Sequence, residues 1–184
     1  MTVAMKIITR SLQEDFGDCH ILWVYSGRRG VHCWVSDKHM REMKYDLRSA
    51  IVSYLTLIKG TGDKKKKLTL KTDAKWRHGL HPMITKSIEI VKSYFEKYAN
   101  QDQGILSTEK GINRVMDMLP DEVTEIRDRV GSWKSSIGSS DGQQSSKRWK
   151  DLVVMLEDDN NERIINEIML EFMYPRLDAN VSTG

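Results

Sequence analysis

Residues 21–35 read I-L-W-V-Y-S-G-R-R-G-V-H-C-W-V. Two runs rich in β-branched and aromatic residues are joined by S-G-R-R-G, too short a connection for anything but antiparallel pairing. A hairpin is therefore predicted here, and it must be accommodated within a chain whose other apolar residues recur mostly at helical spacing. That combination predicts an α+β fold. The turn itself is over-specified. Reversal of the chain needs Gly, Asn, Asp or Pro; it does not need two adjacent guanidinium groups that repel one another.

Around the hairpin, Val3, Ile7, Ile8 and Leu12 predict a helix to about Asp15, stopped by Gly17. Ser36 or Asp37 is placed to cap one helix with Met40, Met43, Leu47, Ile51, Tyr54, Leu55 and Ile58 on a single stripe, stopped by Gly60. Residues 61–78 are polar apart from Leu68, Leu70 and Trp76 and contain the run Lys64 to Lys67; an exposed loop or ragged hairpin is expected. Pro82 suits the first turn of a helix that buries Ile84, Ile88, Val91, Phe95 and Tyr98. A second helix follows Ser107 or Thr108 and ends at Pro120, and a third covers Glu122 to Val130. The Ser/Gly-rich stretch 131–146 predicts a flexible loop. Helices resume at Trp149 to Leu156 and at Glu162 to Met173; Pro175 forbids more helix, and Arg176 to Val181 fits a returning strand. Three parts are expected: 1–79 as a core with the hairpin, 80–173 as a helical subdomain, and 174–184 as a returning core strand.

The chain has 184 residues, enough for one domain with a sizeable core, and a formal net charge of +3 that permits nucleic acid as a partner without demanding it. No apolar run is long enough to span a bilayer, and the start lacks a signal-peptide pattern, so a compartment inside the cell is expected. Cys19 and Cys33 alone cannot form a zinc site; Cys33 is expected to pack as a small hydrophobe. Both ends fall within predicted elements, from which a fragment of a longer protein is expected.

The chemistry concentrates at the turn. Gly27 and Gly30 allow positive φ and close approach of a ligand to the backbone. Arg28 and Arg29 present planar donor forks that match phosphate oxygens two at a time. Ser26 adds a hydroxyl and His32 a ring donor, and no acidic residue lies between them. Two readings stand on composition alone: a cradle for a polyphosphate, or a surface hairpin with solvated arginines and His32 hydrogen-bonded in the sheet.

The stretch W-V-Y-S-G-R-R-G-V-H-C-W-V resembles the signature of the catalytic small subunit of archaeo-eukaryotic DNA primases, in its eukaryotic form. Y-P-R-L-D-A-N-V-S, R-S-A-I-V-S-Y-L-T-L-I-K-G and H-P-M-I-T-K-S-I-E-I-V-K-S-Y-F-E-K-Y-A are similar to runs of the same subunit, in the same order. The resemblance implies a mixed-sheet catalytic core with an inserted helical subdomain, incomplete here at both ends. It implies de novo RNA primer synthesis from ribonucleoside triphosphates on single-stranded DNA, through two Mg²⁺ or Mn²⁺ ions held by carboxylates. By resemblance Ser26, Gly27, Arg28, Arg29, Gly30, Val31 and His32 bind the triphosphate, and Asp178 is a catalytic metal ligand. Arg176, on the same strand face as Asp178, would orient it. Implied partners are the template, the RNA primer, the large primase subunit and the DNA polymerase alpha assembly in the nucleus, with no membrane.

The family also has an Asp-x-Asp pair, a set of zinc-binding cysteines, and a downstream lysine and histidine. None of these is matched: there is no Asp-x-Asp in the chain, and Glu157 with Asp159, the nearest spacing, is not assigned to the site. The isolated chain is therefore expected to bind triphosphate weakly and make no primer. A reading from another class is a non-catalytic phosphate- or nucleic-acid-binding module that lacks a metal centre.

Other features have plainer uses. Lys64 to Lys67 reads as a solvated loop that could also follow a nucleic-acid backbone. Trp23 and Trp34 are expected to pack in the hairpin core, while Trp76 is the better base-stacking candidate. His81 precedes a helix, and with His78 it lacks the neighbours to complete a metal set. The methionine stripes read as core.

Overall fold

Helix α1 (Thr2–Phe16) carries Val3, Ile7, Ile8, Ser11 and Leu12 on its buried stripe and stops where Gly17 takes a φ of 96°. That backbone conformation is open to glycine and resisted by side chains with a Cβ. Strands β1 (Ile21–Tyr25) and β2 (Val31–Val35) pair antiparallel, Ile21 opposite Val35, Trp23 opposite Cys33 and Tyr25 opposite Val31. The computed structural model describes all residues except 18–19, 28–29, 59–67, 69, 71–74, 76–78, 138–140, 159–160 and 179–184. Its described residues form two compact units, Met1–Lys66 with Tyr174–Gly184 and Lys67–Met173. Among them the hairpin is the only sheet, so the fold is α+β and mostly helical.

The first unit is centred on Ile8, Leu12 and Leu55, against which Phe16, Ile21, Trp23, Val35, Met40, Ile51, Tyr54 and Leu177 pack. Residues on the same side of an antiparallel pair share a face. Ile21, Trp23 and Val35 therefore turn one face of the hairpin to this cluster. Trp23 is held there by its Nε1, which donates to Thr9 Oγ1 at 3.0 Å. Parity sends Trp34 to the other face, where it is 63% exposed, so the expectation that both indoles are core holds only for Trp23. Cys33 faces inward by register yet is exposed, which corrects its expected packing.

The long helix expected after Asp37 is two helices, α2 (Lys38–Arg41) and α3 (Tyr45–Leu55), separated by an extended Lys44. No Gly or Pro marks the break. Met40 and Ile51 would lie about 16 Å apart along one straight helix; the break lets both pack on the cluster of Ile8, Leu12 and Leu55. Gly60, the expected stop, lies outside the described residues. The returning segment begins at Tyr174, whose hydroxyl donates to the Leu55 carbonyl at 2.7 Å and so satisfies an acceptor left open at the end of α3. Residues 176–178 are not paired in a sheet, which corrects the strand expected there for the part that is described.

In the second unit, α4 (Pro82–Phe95) starts at His81, whose Nδ1 accepts from the Met83 N–H at 3.2 Å. It runs into a π-helical stretch, Glu96–Asp102, that no sequence signal announced. Helices α5 (Glu109–Met118) and α6 (Thr124–Ser132) follow; Thr108 caps α5 through a bond from Gly111 N–H to its hydroxyl. Helices α7 (Gly142–Asp158) and α8 (Glu162–Met173) complete the unit. Leu68 and Leu70 are buried in it rather than exposed, and the Leu70 N–H donates to the buried Glu167 carboxylate at 2.7 Å.

The expected flexible loop at 131–146 is largely structured. Trp133–Ser136 form a short 3-10 turn with Trp133 buried, and α7 starts seven residues before Trp149. Asp141 Oδ1 accepts from Gln143 N–H at 2.8 Å, a cap hidden among serines. Ser145 is fully buried because its hydroxyl accepts from Leu106 N–H and donates to Asn100. The buried Arg148 guanidinium donates to the carbonyls of Leu106 and Trp133 and to the Ser136 hydroxyl. These bonds replace the water that a charged group would otherwise lose at several kcal/mol.

Candidate nucleotide site

The hairpin tip is closed by three bonds between Ser26 and Gly30. Ser26 N–H donates to Gly30 O at 3.0 Å, Ser26 Oγ donates to the same carbonyl at 2.8 Å, and Gly30 N–H donates to Ser26 Oγ at 3.2 Å. Gly27 takes a φ of 81°, which the tight reversal requires. A hydroxyl has one proton to give. Ser26 has spent it on Gly30, so Ser26 shapes the turn and retains only acceptor capacity, a role composition did not reveal. Arg28 and Arg29 lie outside the described residues.

The open end of the hairpin is clamped as well. Asp37 accepts from His20 N–H at 2.6 Å and meets His20 Nδ1 at 2.7 Å, while Ser36 N–H donates to His20 O at 3.1 Å. The His20 ring bond first, and then the His20 backbone N–H, hold the Asp37 carboxyl below its ordinary value. A two-stranded ribbon is marginal alone. This one is tied at both ends and seated on a core through one face, which suits it to present a tip.

His32 stands opposite Val24 on the face turned away from the core and is exposed. Val31, opposite Tyr25, is half-buried on the inner face. Leu177 packs on the cluster that also seats Ile21, Trp23 and Val35, whereas its neighbours Arg176 and Asp178 are exposed. Thus the described members of both predicted motifs belong to one unit, with Leu177 inward and Asp178 and His32 solvent-facing.

The profile of the family described as DNA primase small subunit matches residues 1–184. The chain belongs to the DNA primase small subunit family. It is 30% identical to the DNA primase small subunit of Schizosaccharomyces pombe over 99% of this chain and 40% of that protein. It is 29% identical to that of Drosophila melanogaster over 100% and 43%, and 28% identical to that of Saccharomyces cerevisiae over 99% and 44%. The chain spans about two fifths of the length of these curated relatives. The match does not favour the non-catalytic module.

Primases of this family are expected to use divalent ions, and the described residues can be tested against that need. No group of three or more His, Cys, Asp or Glu side chains that could hold a metal ion occurs among them. Asp178 alone does not make a two-ion site, since hard divalent ions take six or more oxygen ligands. Nor does the open groove of about 700 Å³ in the second unit fit a polyphosphate. It contains no predicted site residue, and Glu96 and Asp141 line it together with Lys147 and Lys150. No described helix is long and apolar enough to cross a membrane. Lys64 to Lys67, Trp76 and His78 lie outside the described residues.

Proposed function

We propose that this chain is the nucleotide-binding portion of a primase catalytic subunit, which joins ribonucleoside triphosphates into short RNA primers de novo on a single-stranded DNA template. The observation that carries the reading is a hairpin tied at both ends, with no acidic residue from Ser26 to His32 at its tip, in a chain matched throughout by the primase small-subunit profile. Arg28 and Arg29 grip the triphosphate oxygens in pairs, Gly27 and Gly30 let the ligand approach the main chain, Val31 seats the strand, and His32 donates from the outer face. Ser26 holds the turn in shape and in doing so positions the arginines.

Asp178 is one oxygen ligand of a Mg²⁺ or Mn²⁺ site whose remaining ligands are not among the described residues, and Arg176 beside it orients the carboxylate. The family's structural zinc has no ligand set here. The natural partners are the large primase subunit and the DNA polymerase alpha assembly, and the compartment is the nucleus.

Two assays test this reading. The isolated 184-residue chain, with no Asp-x-Asp pair, is expected to bind triphosphate weakly and extend nothing on a poly-dT template; primers made by it alone would contradict the need for metal ligands beyond Asp178. In a complete small subunit, Asp178→Asn is expected to depress kcat while leaving the nucleotide KM near its normal value. A wild-type rate in that variant removes Asp178 from the reaction.

A further inference from the structure

We infer that the outer face of the hairpin, centred on Trp34, is the platform on which the base of the bound nucleotide stacks. The inference rests on the triphosphate reading above and adds to it the place of the base.

The register puts Leu22 opposite Trp34 and Val24 opposite His32, so these four side chains share one face. Leu22 is 64% exposed, Val24 42% and Trp34 63%, and His32 is exposed as well. The opposite face already supplies Ile21, Trp23 and Val35 to the core. The outer apolar residues therefore do not serve the packing of the unit that carries them.

His32 fixes what lies on this face. It is the last residue of the motif assigned to the triphosphate, and a ligand it contacts lies on its side of the ribbon. Trp34 is two residues further along β2 on the same side, about 7 Å away. A nucleoside triphosphate spans that interval from its phosphates to its base. Indole offers a flat π-surface to any base, and stacking leaves the hydrogen-bonding edge free. A templated enzyme needs this division, because the template and not the protein must read that edge. Val24 and Leu22 flank the indole as apolar walls for the sugar side of the ligand.

The test compares ATP with inorganic tripolyphosphate by calorimetry on the 184-residue chain. Tripolyphosphate carries at least as much negative charge, so a cradle that recognises charge alone binds it no more weakly than ATP. The wild-type chain is expected to bind ATP about tenfold more tightly than tripolyphosphate, and the four ribonucleoside triphosphates within about threefold of one another, since stacking tolerates every base. Trp34→Ala should erase the preference for ATP and leave tripolyphosphate binding unchanged, while Trp34→Phe should retain most of it. Equal wild-type affinities for ATP and tripolyphosphate overturn the platform and leave the cradle standing. So does an equal loss for both ligands in Trp34→Ala. Failure of the wild-type chain to bind either ligand overturns the cradle and the platform with it.

Discussion

Tyr54 shows how a single polar group is made to serve a small core. Its ring meets Phe16 edge-on with centroids 5.1 Å apart, and its hydroxyl donates to Asp15 at 3.1 Å. Burial, and then the Asp15 carboxylate, push the phenol up to about 12. A folded-state value above the unfolded one means that the proton is held more tightly in the native protein. This contribution to stability is whole below pH 10 and is lost as pH rises from 10 to 12. Spectrophotometric titration of the folded protein is expected to show a phenolic step near pH 12 that Tyr54→Phe deletes; a trace unaltered by the substitution contradicts the assignment. Asp37 has the opposite sign, its bonds to His20 strengthening the fold above about pH 4 and fading as pH falls through its lowered value. The Tyr54 stripe was legible from helical spacing. The Ser26 strap was not, since a serine beside a glycine carries no mark of whether its proton goes to the chain or to a ligand.

At the scale of elements, two glycines separate backbone freedom from close packing. Gly142 starts α7 against the Gln101 carbonyl in the π-helical stretch, and a Cβ there would collide with that backbone oxygen. Gly131 lies within α6 with nothing within 4 Å of the position a Cβ would take. Gly142→Ala is expected to destabilise by about 1–3 kcal/mol, as overpacking does. Gly131→Ala is expected to stabilise by about 0.5–1 kcal/mol through helix propensity. Urea midpoints read both, and the same sign for both substitutions contradicts the packing described. The helices at Pro82, Thr108 and Glu162 were legible because each carries a proline, a cap or an uninterrupted stripe. The start of α7 was missed because Ser145 and Ser146 read as loop residues, whereas buried bonds to Leu106 and Asn100 make Ser145 an interior group. The split between α2 and α3 depends on what Met40 and Ile51 pack against, which periodicity does not contain.

For the molecule as a whole, local pattern told much about identity and less about the working centre. Thirteen residues around the hairpin, a short run at Asp178 and two runs between them pointed to a family that the comparison over residues 1–184 bears out. Face assignment was partly legible: both runs carry large apolar residues at odd and even positions, so only the pairing register decides which indole is buried. The metal set was not legible because the chain offers one carboxylate in a matched motif and no cluster among the described residues. Every role proposed for this chain depends on the hairpin tip acting as a triphosphate cradle. Calorimetry of ATP against the 184-residue chain and its Arg28→Ala/Arg29→Ala variant tests that most directly. Each charge-assisted bond is worth about 1.5–3 kcal/mol, so losing two is expected to raise Kd by over about a hundredfold, with the circular dichroism spectrum unchanged. A folded variant that binds ATP as the wild type does would contradict it.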